Sequence, residues 1–265
     1  MVMNRLLYIL LLAMALTGCE IIPEQQRLIP LPMQADTIGG AHLLIEFTGF
    51  RCVNCPTAAA TAEALHQTYG NRLVIVAMHP ASNPFTQGKY DYTCEAADYY
   101  YKQFGGVAST PFPTGNIDGV PTVDGYLYDY SEWPTVLVEQ MKRTTYVHLS
   151  AQARLQDNQV TIAATCYADN PREAVMHRWL VEDSICGAQA MPDGSVNTAY
   201  YHRHVLRDVY SDPQGKVVQL RNVPAEHTAT MPLPEGCEPR HCVVVVVLAD
   251  KEDGQVLNVT QTRLL

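Results

Sequence analysis

Basic residues are scarce in this chain: 18 Lys and Arg stand against 27 Asp and Glu, a formal net charge of −9 at pH 7. Nucleic acid rewards basic stripes that neutralise phosphates, so no nucleic-acid partner is expected. The acidity speaks for solubility and nothing sharper. Long apolar runs are also lacking. The first, Leu6 to Leu16, falls short of the ~20 residues that cross a hydrocarbon core of about 30 Å, and no later run is long enough. There is no internal repeat and no low-complexity block. Only one Cys-x-x-Cys occurs, whereas a structural zinc site wants a second ligand pair at suitable spacing. No metal and no cofactor are therefore expected.

What the N-terminus does carry is a leader. Arg5 is the only charged residue before position 19. The short apolar run behind it ends in small residues, the layout of a secretory h-region. Leu16-Thr17-Gly18-Cys19 resembles the lipobox of bacterial lipoprotein signal peptides. That resemblance implies cleavage before Cys19, diacylglycerol on its thiol and acylation of the new amino group. Acyl chains contribute roughly 0.8 kcal/mol per buried methylene, and more than one chain makes anchoring stable. Residues 1–18 are then signal peptide. Residues 19–39 are the lipidated cysteine and a proline-containing spacer, with a short strand at Arg27 to Leu31. The expected location is the bacterial cell envelope, lipid-anchored at the outer membrane.

The remaining chain changes character near 144. Residues 40–144 alternate short apolar strands (His42 to Phe47, Leu73 to Met78, Thr114 to Asp118) with helical segments (Val53 to Tyr69, Lys89 to Phe104, Ser131 to Arg143). That alternation indicates an α/β layer. Residues 145–265 lose the helical period. Val147 to Leu155, Gln159 to Tyr167, Val175 to Val181, Tyr201 to Val209, Lys216 to Leu220, Cys242 to Ala249 and Gln255 to Thr262 read as seven strands. Gln156-Asp157-Asn158 and Asp253-Gly254 supply hairpin turns. Such a series predicts a β-sandwich of immunoglobulin-like size. Val243 to Val247, apolar on both faces, predicts a central strand.

Seven cysteines follow Cys19, an odd number that leaves at least one thiol unpaired within the monomer. Cys52-Val53-Asn54-Cys55 lies between a buried strand and a helix. Orphan N–H groups at a helix start favour a thiolate, and such cysteines drop from a pKa of about 8.5 into the range ~3.5–7.5. Arg51 adds a cation. Exchange needs one attacking sulfur, Cys52, and one that closes the ring, Cys55.

This strand–CxxC–helix unit resembles the thioredoxin superfamily. The resemblance implies a buried acid six positions before the first cysteine, which Glu46 matches, and a cis-proline facing the pair. Pro113-Thr114 is assigned to that proline, with Pro121-Thr122 as the competing choice. Arg51 and Val53-Asn54 depart from the usual Trp and Gly-Pro. A narrower resemblance spans nearly the whole mature chain. Phe47 to Pro56, Met78-His79-Pro80, Pro113-Thr114-Gly115, Tyr201 to Arg207 and the Cys242 to Leu248 strand resemble the outer-membrane-protein-28-related lipoproteins of anaerobic gut and oral bacteria. That family implies a thioredoxin-like domain followed by a β-sandwich, and leaves the activity poorly defined.

Two functions follow. In one the chain is a membrane-anchored thiol–disulfide oxidoreductase acting on envelope proteins, with Cys52 as nucleophile, Cys55 resolving, Glu46 relaying a proton and Pro113 shaping the groove. In the other it is a non-catalytic surface lipoprotein whose CxxC is a static disulfide. An exposed Cys52 beside cis-Pro113 favours the first, and a buried pair the second. Cys237 and Cys242 bracket a turn-like insert that a disulfide is expected to clip. The pairing of Cys94, Cys166 and Cys186 stays open, with Cys94 read as helix packing. His202 and His204 alternate onto one strand face with no third ligand identifiable, and His79 reads as a solvated loop residue. Tyr99, Tyr100 and Tyr101 wrap around a helix, so at most two of them share a face, and core packing is expected.

Overall fold

The computed structural model describes residues 40–210 and 212–264. Cys19, the spacer and the strand expected at Arg27 to Leu31 lie outside the described residues. Strand β1 (His42–Phe47) and β2 (Leu73–Met78) are six-residue runs buried at every position, and they pair in parallel with Glu46 opposite Ala77. Strands covered on both faces need no polar alternation. Between them runs α1 (Cys55–Tyr69), with proline in its first turn. There the missing N–H leaves no bond unmade.

Helix α2 (Glu95–Gln103) starts later than Lys89. The Asp91 carboxylate accepts from the Thr93 backbone N–H at 3.0 Å and from its hydroxyl at 2.6 Å. Cys94 itself is extended (φ −144°, ψ 157°). A side chain that satisfies a nearby backbone N–H competes with helix and sets the start here. Strand β3 (Thr114–Ile117) lies antiparallel to β1, β4 (Tyr128–Asp129) pairs with β3, and α3 (Trp133–Gln140) follows.

Ten strands come next, not seven: β5 (Val147–Gln156), β6 (Gln159–Ala168), β7 (Arg172–Glu182), β8 (Ile185–Ala190), β9 (Val196–His202), β10 (Val205–Val209), β11 (Lys216–Leu220), β12 (Ala225–Pro232), β13 (Cys242–Asp250) and β14 (Val256–Arg263). The β5–β6 hairpin turns on Asp157 and Asn158, whose φ of 51° and 60° suit a two-residue turn. The expected strand Tyr201 to Val209 is broken in two, because His204 sits at φ 55°, outside extended backbone. Strand β12 mixes Thr228 and Thr230 with Glu226, His227 and small residues, and β8 sets Ile185 before mostly small ones, so both carry the branched or aromatic signature of a strand only weakly.

One mixed sheet runs β14-β13-β7-β10-β2-β1-β3-β4, with β11 also on β7; β12-β6-β5 form a second sheet and β8-β9 a hairpin. As expected, β13 is central, flanked by β14 and β7. The seam between early and late strands is β10 on β2, where Val205 pairs with Ala77. The large sheet therefore runs without interruption across position 144.

The packing crosses that position too. One apolar cluster joins Ile45, Phe47, Val76 and Tyr101 of the early region to Trp179, Val181, Leu206 and Val245 of the late one. On the other face, α1 and α3 cover Leu44 and Ile75, while the β5–β6–β12 sheet covers Met176, Leu180 and Val244. Each such apolar side chain contributes about 1.5–3 kcal/mol by leaving water, so the shared cluster ties the regions together. The fold is mostly β with a mixed sheet, and among the described residues no helix is long and apolar enough to cross a membrane.

Candidate functional site

Cys52 and Cys55 form a disulfide at the junction of β1 and α1, their Cα atoms 5.4 Å apart. A turn presents them: the Cys52 N–H donates to Gly49 O, and the Asn54 carbonyl accepts from Thr57 N at the start of α1. Gly49 is required there, since a Cβ would stand 2.6 Å from the carbonyl oxygen of Phe85. The loop carrying Phe85 also receives the Arg51 N–H and holds Arg51 Nη1 against Gln87 O at 3.4 Å. Arg51 is thus drawn along the loop and stays exposed.

The Phe112–Pro113 peptide is the one cis bond among the described residues, so Pro113 and not Pro121 occupies that conformation. Phe112 packs in the cluster that holds both cysteines, and Thr114 pairs with Phe47. Glu46 is buried at 3 % exposure, and its Oε1 accepts no hydrogen bond. Burial raises its pKa to about 7, against the opposing pull of His204 and a hydrogen bond from Thr48. A carboxylic acid kept half-protonated at neutral pH can give or take a proton.

Both cysteines are only 2 % exposed. The cover is the β8–β9 hairpin, which the sequence reading did not identify. Gln189 Nε2 donates to Cys52 O at 2.9 Å and to Ala190 O at 3.0 Å, and Ala190 N donates to Phe50 O at 2.8 Å. Gly187 lets the hairpin close over Tyr92, because a Cβ there would collide with Tyr92 Oη. The available signal was one polar residue, Gln189, inside the small-residue run Ile185 to Ala190.

The histidines are placed differently than expected. His79 is buried, not solvated: its ring meets Tyr92 at 5.5 Å and His202 at 6.1 Å, and burial lowers its pKa to about 3. Burial also lowers His202, to about 4. The break at residue 204 takes His202 and His204 off a common strand face. His204 turns instead toward Glu63 (3.9 Å) and Asp183 (3.6 Å). The His204 ring beside it is the main reason that the Glu63 carboxyl falls to about 2. The tyrosines pack as expected, Tyr100 and Tyr101 buried and Tyr99 half-buried. Trp179 Nε1 donates to Tyr100 Oη at 2.8 Å.

Cys237 and Cys242 are free thiols here, not the expected disulfide, as are Cys94, Cys166 and Cys186. A short helical turn, Pro239–His241, separates them, and the Cys242 thiol donates to Glu238 O at 3.4 Å. The closeness of the two thiols lowers the pKa of Cys237 and raises that of Cys242. Glu182 comes up beside them from β7, and its carboxylate oxygen and the two sulfurs lie within 4.8 Å of one another. Cys94 is half-buried just ahead of α2, its thiol 3.7 Å from Leu206 O, and burial pushes its pKa up to about 11. A cleft of about 390 Å³ lies at the other end of β1, lined by His42, Arg143 and Thr145, away from the cysteine pair.

A family model described as outer membrane protein Omp28 matches residues 97–264, a span that begins after the CxxC loop. HBP35 of Porphyromonas gingivalis is similar in structure, with a TM-score of 0.64 at 14% identity over 87% of this chain and 77% of that one. A protein from Agrobacterium tumefaciens aligns with a TM-score of 0.53 at 14% identity, over 87% of this chain and 96% of its own. A domain of the outer membrane lipoprotein Omp28 from Porphyromonas gingivalis matches 45% of this chain and 88% of that one, at 16% identity and a TM-score of 0.32. Likenesses at such identities show the fold alone. No curated protein matches the sequence. The family model spans well over half of the residues, and the chain belongs to the Omp28 family of outer membrane lipoproteins, proteins of the bacterial cell envelope.

Proposed function

We propose that this protein carries out thiol–disulfide exchange on envelope proteins through Cys52 and Cys55, tethered to the membrane by lipid on Cys19. In this reading residues 40–144 are a thioredoxin-like unit and residues 145–265 an immunoglobulin-like sandwich fused to it through one sheet. The observation that carries the reading is the disulfide at the β1–α1 junction with the buried acid Glu46 at the end of the same strand.

A substrate thiolate attacks Cys52 Sγ, the Cys52–Cys55 bond breaks, and Cys55 leaves as a thiolate that takes the Glu46 proton. A second substrate thiolate then attacks its own sulfur in the mixed disulfide, and Cys52 leaves. The substrate dithiol loses two electrons and the cysteine pair gains them. The reverse sequence reduces a substrate disulfide, with Cys52 attacking. Either direction requires the β8–β9 hairpin to lift, because Cys52 lies beneath Gln189.

That same cover favours the second reading, a surface or binding lipoprotein whose CxxC is a static bond. The two are told apart by trapping. Cys55→Ser is expected to accumulate mixed disulfides with envelope proteins through Cys52, and Cys52→Ser far fewer. If Cys55→Ser traps nothing in native envelope extracts, and the wild-type pair resists a glutathione buffer as a bond below about −300 mV does, the static reading holds. Cys19→Ala is expected to abolish incorporation of a lipid label.

A further inference from the structure

We propose that Cys237, Cys242 and Glu182 form a binding site for a divalent cation of the zinc class. Three donors from two strands and a turn meet within 4.8 Å of one another, two sulfurs and one carboxylate oxygen. The spacing Cys-x4-Cys falls in the range in which one short turn presents two thiolates to zinc. Thiolates select a soft or borderline ion, whereas calcium and magnesium want oxygen alone.

The carboxylate is set up as a ligand. Glu182 is buried at 4 % exposure, and its Oε1 accepts the Glu238 N–H at 2.8 Å. Its Oε2 accepts no hydrogen bond, with Arg207 Nε 3.5 Å away. One oxygen is therefore oriented by the backbone of the same turn that carries the cysteines, and the other, ion-paired with Arg207, has no hydrogen bond to give up when it binds. Outer-shell bonds of this kind fix ligand geometry at metal sites.

The charges also close. Binding releases one proton from each thiol, so two thiolates and a carboxylate face a divalent ion. One negative charge is left over, and the neighbouring guanidinium of Arg207 offsets it. Cys242 is buried and Cys237 half-buried, so the ion enters past Cys237 and keeps a fourth position for water. This inference is independent of the CxxC reading: neither Cys52 nor Cys55 takes part.

The test uses the full chain carrying Cys52→Ser and Cys55→Ser, reduced and then titrated with cobalt(II). One equivalent is expected to give thiolate-to-cobalt charge-transfer absorption, and zinc to remove it by displacement. Cys237→Ser and Cys242→Ser are expected to abolish the band, Glu182→Gln to weaken binding at least tenfold, and Cys94→Ser to leave it unchanged, each with an unaltered far-ultraviolet spectrum. In protein from cells whose thiols are blocked at lysis, Cys237 and Cys242 should be alkylated only after a chelator is added. Absence of the band in reduced protein, or its survival in Cys237→Ser, overturns the site. So does a Cys237–Cys242 disulfide in the cell-derived protein, since the pair is then a covalent clip and not a ligand pair.

Discussion

Two cysteine pairs occupy the same end of one sheet and are held in different states. Glu46 pairs with Ala77, Val205 with both Ala77 and Glu182, and Glu182 with Cys242. Four strand spacings of about 4.8 Å therefore put the acid of the first pair roughly 19 Å from the second pair. Cys52 and Cys55 are bonded, roofed by a hairpin, and accompanied by an acid with no opposing cation in direct contact. Cys237 and Cys242 are thiols, open on one side, with an acid whose charge Arg207 meets. A shared sheet does not set cysteine chemistry. The groups delivered by neighbouring turns and hairpins do.

If the sheet is one cooperative body, damage to its late half must reach its early half. Trp179→Ala is expected to cost about 3–5 kcal/mol, the largest effect here, because Trp179 packs with Val245 and Tyr100. The sequence holds two tryptophans, so Trp133, buried at the start of α3, becomes the reporter of the early region. Its fluorescence transition in urea should shift together with far-ultraviolet circular dichroism. An unchanged Trp133 midpoint would show that the regions unfold separately.

The acid of the first pair gives the next effect. Its folded pKa, about 7, lies above the ordinary 4.5. The native state therefore binds more protons than the unfolded chain between those values, and stability falls as pH rises from 4.5 to 7. Glu46→Gln removes that loss, and at pH 8 should be more stable than wild type by up to ~3 kcal/mol. Equal pH profiles of unfolding for the two proteins would refute the buried-acid assignment.

Gln189→Ala tests the roof. Losing its bond to Cys52 O should cost about 1 kcal/mol and speed reduction of the Cys52–Cys55 bond by dithiothreitol about fivefold, while alkylation of Cys237 and Cys242 is unaffected. Unchanged reduction kinetics would mean that the hairpin does not shield the pair. Proteolysis in the exposed stretch 142–144 should change least. The division near 144 offers the cleavage site, and the shared core is expected to keep both fragments in one peak on gel filtration. Two separate folded peaks would restore two independent domains.

Much of this was legible in residues 40–104, where fully apolar runs, an alanine-rich helix and Gly70 mark elements whose contacts are local. The late region was less so. Val243 to Val247 identified itself as central by its composition, but β8 has Ile185 as its one branched residue and β12 only Thr228 and Thr230, and neither holds a Phe, Tyr or Trp. The break at His204 depends on a positive φ that its residue type does not announce. At the site, the CxxC pair, Glu46 and Pro113 were all named from spacing and resemblance. Gln189 and Glu182 were not, and His79 was read as solvated, because each acquires its surroundings from a partner distant in sequence: Gln189 lies 137 residues from Cys52.

By itself the sequence determined the element types wherever a hydrophobic period or a turn residue acts over a few positions, the acidic charge, and which thiols stand close along the chain. Only the tertiary structure decided that β10 joins β2, that both regions share one core, that Cys52 is covered, and that a carboxylate reaches Cys237 and Cys242. Those outcomes rest on burial and on contacts between distant segments. Local propensity does not encode them, because their free energy arises only when the sheet is assembled.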